Sequence, residues 1–62
     1  MNAIKKHRMA KGYSQEKLAE LLGVTQTQVC KWETGKALPS ARNLKRISEE
    51  LDMQPLEILE GG

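Results

Sequence analysis

The chain has no phenylalanine, one tryptophan, one tyrosine and one cysteine in 62 residues. A single thiol excludes an internal disulfide, and Cys30 with the lone His7 does not make a metal-ligand set. No apolar run approaches the ~20 residues of a membrane span, and no hydrophobic stretch of the secretory-leader kind follows the basic first residues. Asn-Gly and Asp-Gly hairpin turns are missing, as is any β-branched alternation of strand length. Nucleophile, base and orienting group cannot be assembled, because Ser14, Ser40 and Ser48 have one histidine to share. A glycine-rich phosphate loop is absent too. These absences point away from disulfide scaffolds, zinc modules, hairpin-built folds and enzymes. The expectation they leave is a soluble, cytoplasmic, all-α domain without metal or cofactor.

What is present is charge, unevenly placed. The formal net charge is only +2, yet residues 1–11 carry Lys5, Lys6, Arg8 and Lys11 without an acid, a block of +4. Residues 12–34 set Lys17 and Lys31 against Glu16, Glu20 and Glu33, for −1. Residues 35–48 hold Lys36, Arg42, Lys45 and Arg46, again +4, and residues 49–62 hold Glu49, Glu50, Asp52, Glu57 and Glu60, for −5. Any one of these lysines is ordinary solvated surface. Two acid-free basic blocks in so small a domain favour an anionic partner. Within them, Lys5, Lys6, Lys45 and Arg46 read as solvated charges that add only diffuse attraction.

Helix signals run the length of the chain. Ile4 and Arg8, with Lys11 behind them, share one face of a first helix that Gly12 stops. Ser14 is a natural N-cap for a second helix, with Glu16 in its first turn and an apolar stripe of Leu18, Leu21 and Leu22. Gly23 ends it. A third helix, about residues 25–34, starts at Thr25, where Thr25-x-x-Gln28 has capping-box spacing, and stops at Gly35. Pro39 forbids simple continuation, and Ser40 caps a fourth helix with a core face of Leu44, Ile47 and Leu51. Pro55 opens a short fifth helix carrying Leu56, Ile58 and Leu59. Residues 1–60 are thus expected to form one domain, and Gly61-Gly62 a frayed tail.

Ser14 to Gly35 is the informative stretch. Two short helices joined by Leu22-Gly23-Val24-Thr25 must cross steeply, which needs a small side chain where they touch; Ala19, facing Val29, supplies it. The arrangement reads as a helix-turn-helix, whose second helix lies in a DNA major groove. With Val29 inward and ~100° per residue, Trp32 and Glu33 fall on the buried side. Thr27, Lys31 and Thr34 point away, Gln28 and Cys30 lie on the flanks, and Gln26 sits at the N-terminal end. The outward face is then hydrogen-bonding and acid-free: glutamine pairs bidentately with adenine, and lysine donates to guanine.

The run Arg8 … Gly12-Tyr13-Ser14-Gln15-Glu16-Lys17-Leu18-Ala19 … Leu22-Gly23-Val24-Thr25 … Val29-Cys30-Lys31-Trp32-Glu33-Thr34-Gly35-Lys36 … Pro39-Ser40 … Leu44 resembles the Cro/repressor-type helix-turn-helix, also called the xenobiotic-response-element family. The likeness extends from about Ile4 to Leu59. It implies a compact five-helix repressor-like bundle with no enzymatic activity. It further implies a transcriptional regulator, a repressor by type, from a prokaryotic cell or its phage, binding palindromic operators as a homodimer. Carried over residue by residue, the resemblance puts Gln26, Thr27 and Lys31 on base edges. Gln15 would hold a phosphate and brace Gln26; Thr34 and Lys36 would hold phosphates after the third helix. Arg8 and Glu33 match an ion pair between the first and third helices, with Arg8 also orienting a phosphate. Free N–H groups at the Ser40 cap make a further phosphate seat, and Arg42 adds a weaker backbone contact. Ala19, Gly23, Val29, Trp32 and Glu33 form the structural support. His7 stands where the family more often has leucine, and Cys30 replaces a small or polar residue.

Plainer readings compete at several positions. Trp32 is core rather than a base-stacking ring, and Cys30 is packing rather than a redox sensor. His7 is a half-exposed helix residue, Gln28 either reads a base or only caps its helix, and Met9 and Met53 fill gaps. The rival function is an antitoxin or adaptor that touches a protein partner through the fifth helix. Ile58 exceeds what the core needs and, with Leu56 and Leu59, reads as a self-complementary dimer patch. The polar, acid-free face of the third helix separates the two readings, since an adaptor has no need of it.

Overall fold

A computed structural model of the chain describes residues 2–60, with side chains described over 2–58; the tail expected at Gly61-Gly62 lies outside them. Five helices follow one another: α1 (Ala3–Ala10), α2 (Gln15–Leu22), α3 (Gln26–Thr34), α4 (Ala41–Leu51) and α5 (Pro55–Glu60). Four begin on a polar cap. Asn2, Ser14, Thr25 and Ser40 are extended, and their side-chain oxygens accept from the backbone N–H three residues on, at Lys5, Lys17, Gln28 and Asn43. At α5, Glu57 Oε2 instead reaches back to the N–H of Gln54, at 2.9 Å.

Gly23 (φ 71°) and Gly35 (φ 79°) end α2 and α3 in the left-handed region that glycine enters without steric cost. Helix α4 stops on Asp52, whose positive φ of 52° is unusual for a residue with a Cβ.

Helical periodicity turns one row of each element inward. Ile4, Leu18, Ala19, Leu22, Val29, Trp32, Ile47, Leu51, Met53 and Ile58 make one core, on which Tyr13, Val24, Ala37 and Leu44 pack from its edge. Trp32 Nε1 is buried with no hydrogen-bond partner among the described residues. That orphan donor costs about 1–3 kcal/mol, whereas burying an indole stabilises by about 4–6 kcal/mol, so the ring remains a net anchor.

Two expectations need correction. Ile58 is only 6% exposed and belongs to the core. The six-residue α5 offers few apolar anchors, and Ile58 is needed to dock it, which leaves it unavailable as a dimer contact. Arg46 is not a solvated charge. Its Nη1 donates to Leu22 O at 2.7 Å and its Nη2 to Leu21 O at 3.2 Å, because the end of α2 offers uncapped carbonyls to a guanidinium on the facing α4. Leu56 stays 59% exposed, and Leu59 lies outside the described side chains.

Candidate nucleic-acid interface

Helices α2 and α3 pack closely on each other. Ala19 and Val29 are both buried, so the short side chain on α2 lets the backbones approach at the turn. The turn closes through Val24 N–H donating to Ala19 O at 3.0 Å and Gly23 N–H to Glu20 O at 3.3 Å. Thr25 Oγ1 then accepts from Gln28 N–H at 3.1 Å and fixes where α3 begins.

The exposed residues of α3 are Gln26, Thr27, Cys30, Lys31 and Thr34, with Gln28 half-buried on the flank. Val29, Trp32 and Glu33 face inward. Glu33 is the one acid of this helix, and it is 8% exposed. The outward face therefore offers amide, hydroxyl and ammonium groups and no carboxylate, an arrangement matched to base edges and phosphates.

What removes the acid from that face is a buried network. Arg8 Nε donates to Glu33 Oε2 at 2.7 Å, and Arg8 Nη2 to Glu33 Oε1 at 3.2 Å, a two-pronged pair. Arg8 Nη1 donates to Tyr13 O at 2.7 Å. Gln15 Nε2, from the first turn of α2, reaches the same carboxylate at 3.1 Å. Helices α1, α2 and α3 thus meet on one buried carboxylate. This geometry bears on two assignments. Arg8 is only 9% exposed and each guanidinium nitrogen donates one N–H internally, so it holds Glu33 and Tyr13 O in place and has the second N–H of Nη1 and of Nη2 left over for a phosphate. Gln15 Nε2 bonds Glu33, where the resemblance had it brace Gln26, and one N–H of that amide remains for a phosphate.

The remaining phosphate candidates differ in what they can donate. Lys36 and Arg42 are exposed. Ser40 Oγ accepts from Asn43 N–H at 3.2 Å, which leaves its own O–H free. Thr34 does the reverse: its hydroxyl donates to Cys30 O at 2.9 Å, so without rotating it has no proton for a phosphate. The N–H of Lys36 closes the end of α3 on Lys31 O at 2.9 Å, which fixes the backbone from which its side chain projects.

Sequence reasoning missed Asn2. Its Oδ1 caps α1 and its Nδ2 donates to Trp32 O at 2.7 Å, tying the start of α1 to the last turn of α3. The available signal was its position, a cap residue immediately before Ala3-Ile4; the long-range half of the contact has no local trace.

The model of the Helix-turn-helix family matches residues 4–58. The chain is 40% identical over 58 residues to the SPbeta prophage-derived uncharacterized HTH-type transcriptional regulator YonR of Bacillus subtilis (strain 168), which covers 94% of this chain and 54% of that protein. It is 43% identical over 54 residues to the HTH-type transcriptional activator BcrR of Enterococcus faecalis, covering 87% of this chain and 26% of that one. The chain therefore spans about half the length of the first relative and about a quarter of the second. No solved structure matches with significance. Five helices, a glycine turn between α2 and α3, and a family match across nearly all of the chain agree: this protein belongs to the Cro/repressor-type helix-turn-helix family.

Proposed function

We propose that the chain is a sequence-specific, double-stranded DNA-binding transcriptional regulator that reads the major groove with α3. One observation carries this reading: the only acid of α3 is withdrawn into the Arg8–Glu33–Gln15 network, leaving an exposed face without negative charge. In this pose Gln26, Thr27, Lys31 and, from the flank, Gln28 address base edges. Lys36, Arg42, Ser40 and the second Nε2–H of Gln15 address phosphates on either side, Thr34 joins them only if its hydroxyl rotates, and Arg8 positions Glu33. The acidic α4–α5 end is repelled by DNA and turned toward a partner subunit.

A module this small holds one half-site weakly, so a homodimer on a palindromic operator with half-sites about one helical turn apart is the fitting assembly. Among the described side chains, Leu56 is the part of the expected dimer patch that remains exposed. Repression by operator occupancy needs no surface beyond these. The activating role in the name of BcrR belongs to a protein of which this chain matches 26%.

Random-site selection with the purified protein, read by sequencing, tests the proposal. Enrichment of a two-fold symmetric site supports it. Failure to enrich any sequence favours the antitoxin or adaptor reading, in which α5 engages a protein partner.

A further inference from the structure

We propose that Arg46, on α4, is a positioning residue for the reading helix: its guanidinium clamps the α2–α3 turn and thereby holds the angle at which α3 is presented. The inference rests on the DNA-binding reading above and goes beyond it, because Arg46 is not among the groups assigned to DNA.

The last four carbonyls of a helix have no partner within the helix. Here Ala19 O accepts from Val24 N–H at 3.0 Å, and Glu20 O from Gly23 N–H at 3.3 Å. The other two, Leu21 O and Leu22 O, are taken by Arg46 Nη2 at 3.2 Å and Nη1 at 2.7 Å. Half of the capping of this turn thus comes from a side chain 24 residues farther along, on another helix. A cation also suits this place, since the C-terminal end of a helix carries partial negative charge. Arg46 is partly buried and committed to carbonyls, which separates it from Arg42 and Lys45, both exposed on the same helix. Space matters as well: a Cβ built on Gly23 would lie 4.0 Å from Arg46 Nη1, so the guanidinium lies over the turn itself. The planar fork addresses two adjacent carbonyls at once, whereas a lysine ammonium offers a single point charge to the pair.

Two readouts on Arg46→Ala and Arg46→Lys test the clamp. The first needs no DNA: amide hydrogen exchange at Gly23 and Val24 in the free protein, scaled to the Lys6 amide of α1. In Arg46→Ala the turn amides are expected to exchange about tenfold faster or more relative to α1, and Arg46→Lys to recover part of the protection. Equal acceleration at both places overturns the clamp and leaves Arg46 a general stabiliser.

The second readout is the ratio of affinities for a selected site and for random duplex, measured well below the unfolding transition. The ratio is expected to fall about tenfold in Arg46→Ala with an unchanged salt slope, because no phosphate contact is lost. A uniform loss on both duplexes, with the slope reduced by about 1, identifies a phosphate contact and overturns the proposal. A loosened turn with an intact ratio overturns the positioning role. If the wild type selects no site, the DNA reading fails and the positioning role fails with it, while the exchange result still decides the clamp.

Discussion

Helix α1 is cross-linked to both ends of the molecule, and the two sets of links teach opposite lessons about distance. Toward α3, Arg8 meets Glu33 at 2.7 Å with side-chain exposures of 11% and 1%. Toward the α4–α5 end, Lys11 meets Asp52 at 2.6 Å with exposures of 37% and 78%, and His7 meets Glu57 at 3.0 Å. The lysine pair is the shorter of the two. It matters less, because water screens it and two flexible side chains lose entropy to hold it. The arginine pair lies where screening is weak, and removing one partner strands a charge in the core. One end is built for fixed geometry, and the other is attached by contacts that yield cheaply.

The largest effect expected from breaking this contrast is at Glu33. Glu33→Ala leaves Arg8 buried and uncompensated and should cost about 3–5 kcal/mol, read as a fall in the urea midpoint. Such a loss lowers Tm by roughly 4–8 °C per kcal/mol in a domain of this size. A loss no greater than that from breaking the exposed pairs would erase the distinction between the two ends.

At the α5 end the contrast falls within a single helix. Ile58→Ala should destabilise by about 2–5 kcal/mol, because it removes a core anchor. Leu56→Ala should leave the monomer within about 0.5 kcal/mol and act only on self-association, seen by sedimentation. The reverse order would restore Ile58 to the surface.

Smallest is the effect of the exposed pairs. Lys11→Ala and Asp52→Gly should shift the urea midpoint least, and Asp52→Gly also relieves the positive φ. Their signature is pH dependence. The Lys11 ammonium, by hydrogen bond and charge, holds the Asp52 carboxyl below its ordinary 3.8. The N–H of Gln54, and secondarily His7, hold Glu57 below its ordinary 4.5. In both cases the unfolded chain takes up protons first. Their stabilisation is therefore complete above about pH 5 and fades as pH falls through the lowered values. Lys11 is raised above 10.5 by Asp52, so its share is present at neutral pH and is lost as pH rises through that raised value. Urea midpoints from pH 6 to pH 3 should fall, and fall less steeply in Lys11→Ala.

Most of the α2–α3 end was legible in the sequence. Ser14, Thr25 and Ser40 announce helix starts, Gly23 and Gly35 their ends, and the spacing from Val29 turns Trp32 and Glu33 inward, all from local rules. The contacts that escaped reach across the fold. Asn2 to Trp32 O spans 30 residues and Arg46 to Leu22 O spans 24, and nothing near either residue marks its partner. Ile58 was misplaced because helical spacing gives direction and not depth. Thr34 was assigned by its match to a family position, which does not say that its proton is already donated to Cys30 O.

The central claim is that the acid-free face of α3 reads bases. Its most direct test is the affinity of Gln26→Ala and Lys31→Ala for a selected site and for the same site changed at single base pairs. Each variant should lose about 1–3 kcal/mol of discrimination at one base pair and keep it elsewhere. Lys36→Ala, beside them, should weaken every duplex alike and reduce the salt slope by about 1. If both α3 variants discriminate among all these duplexes as the wild type does, the face does not read DNA.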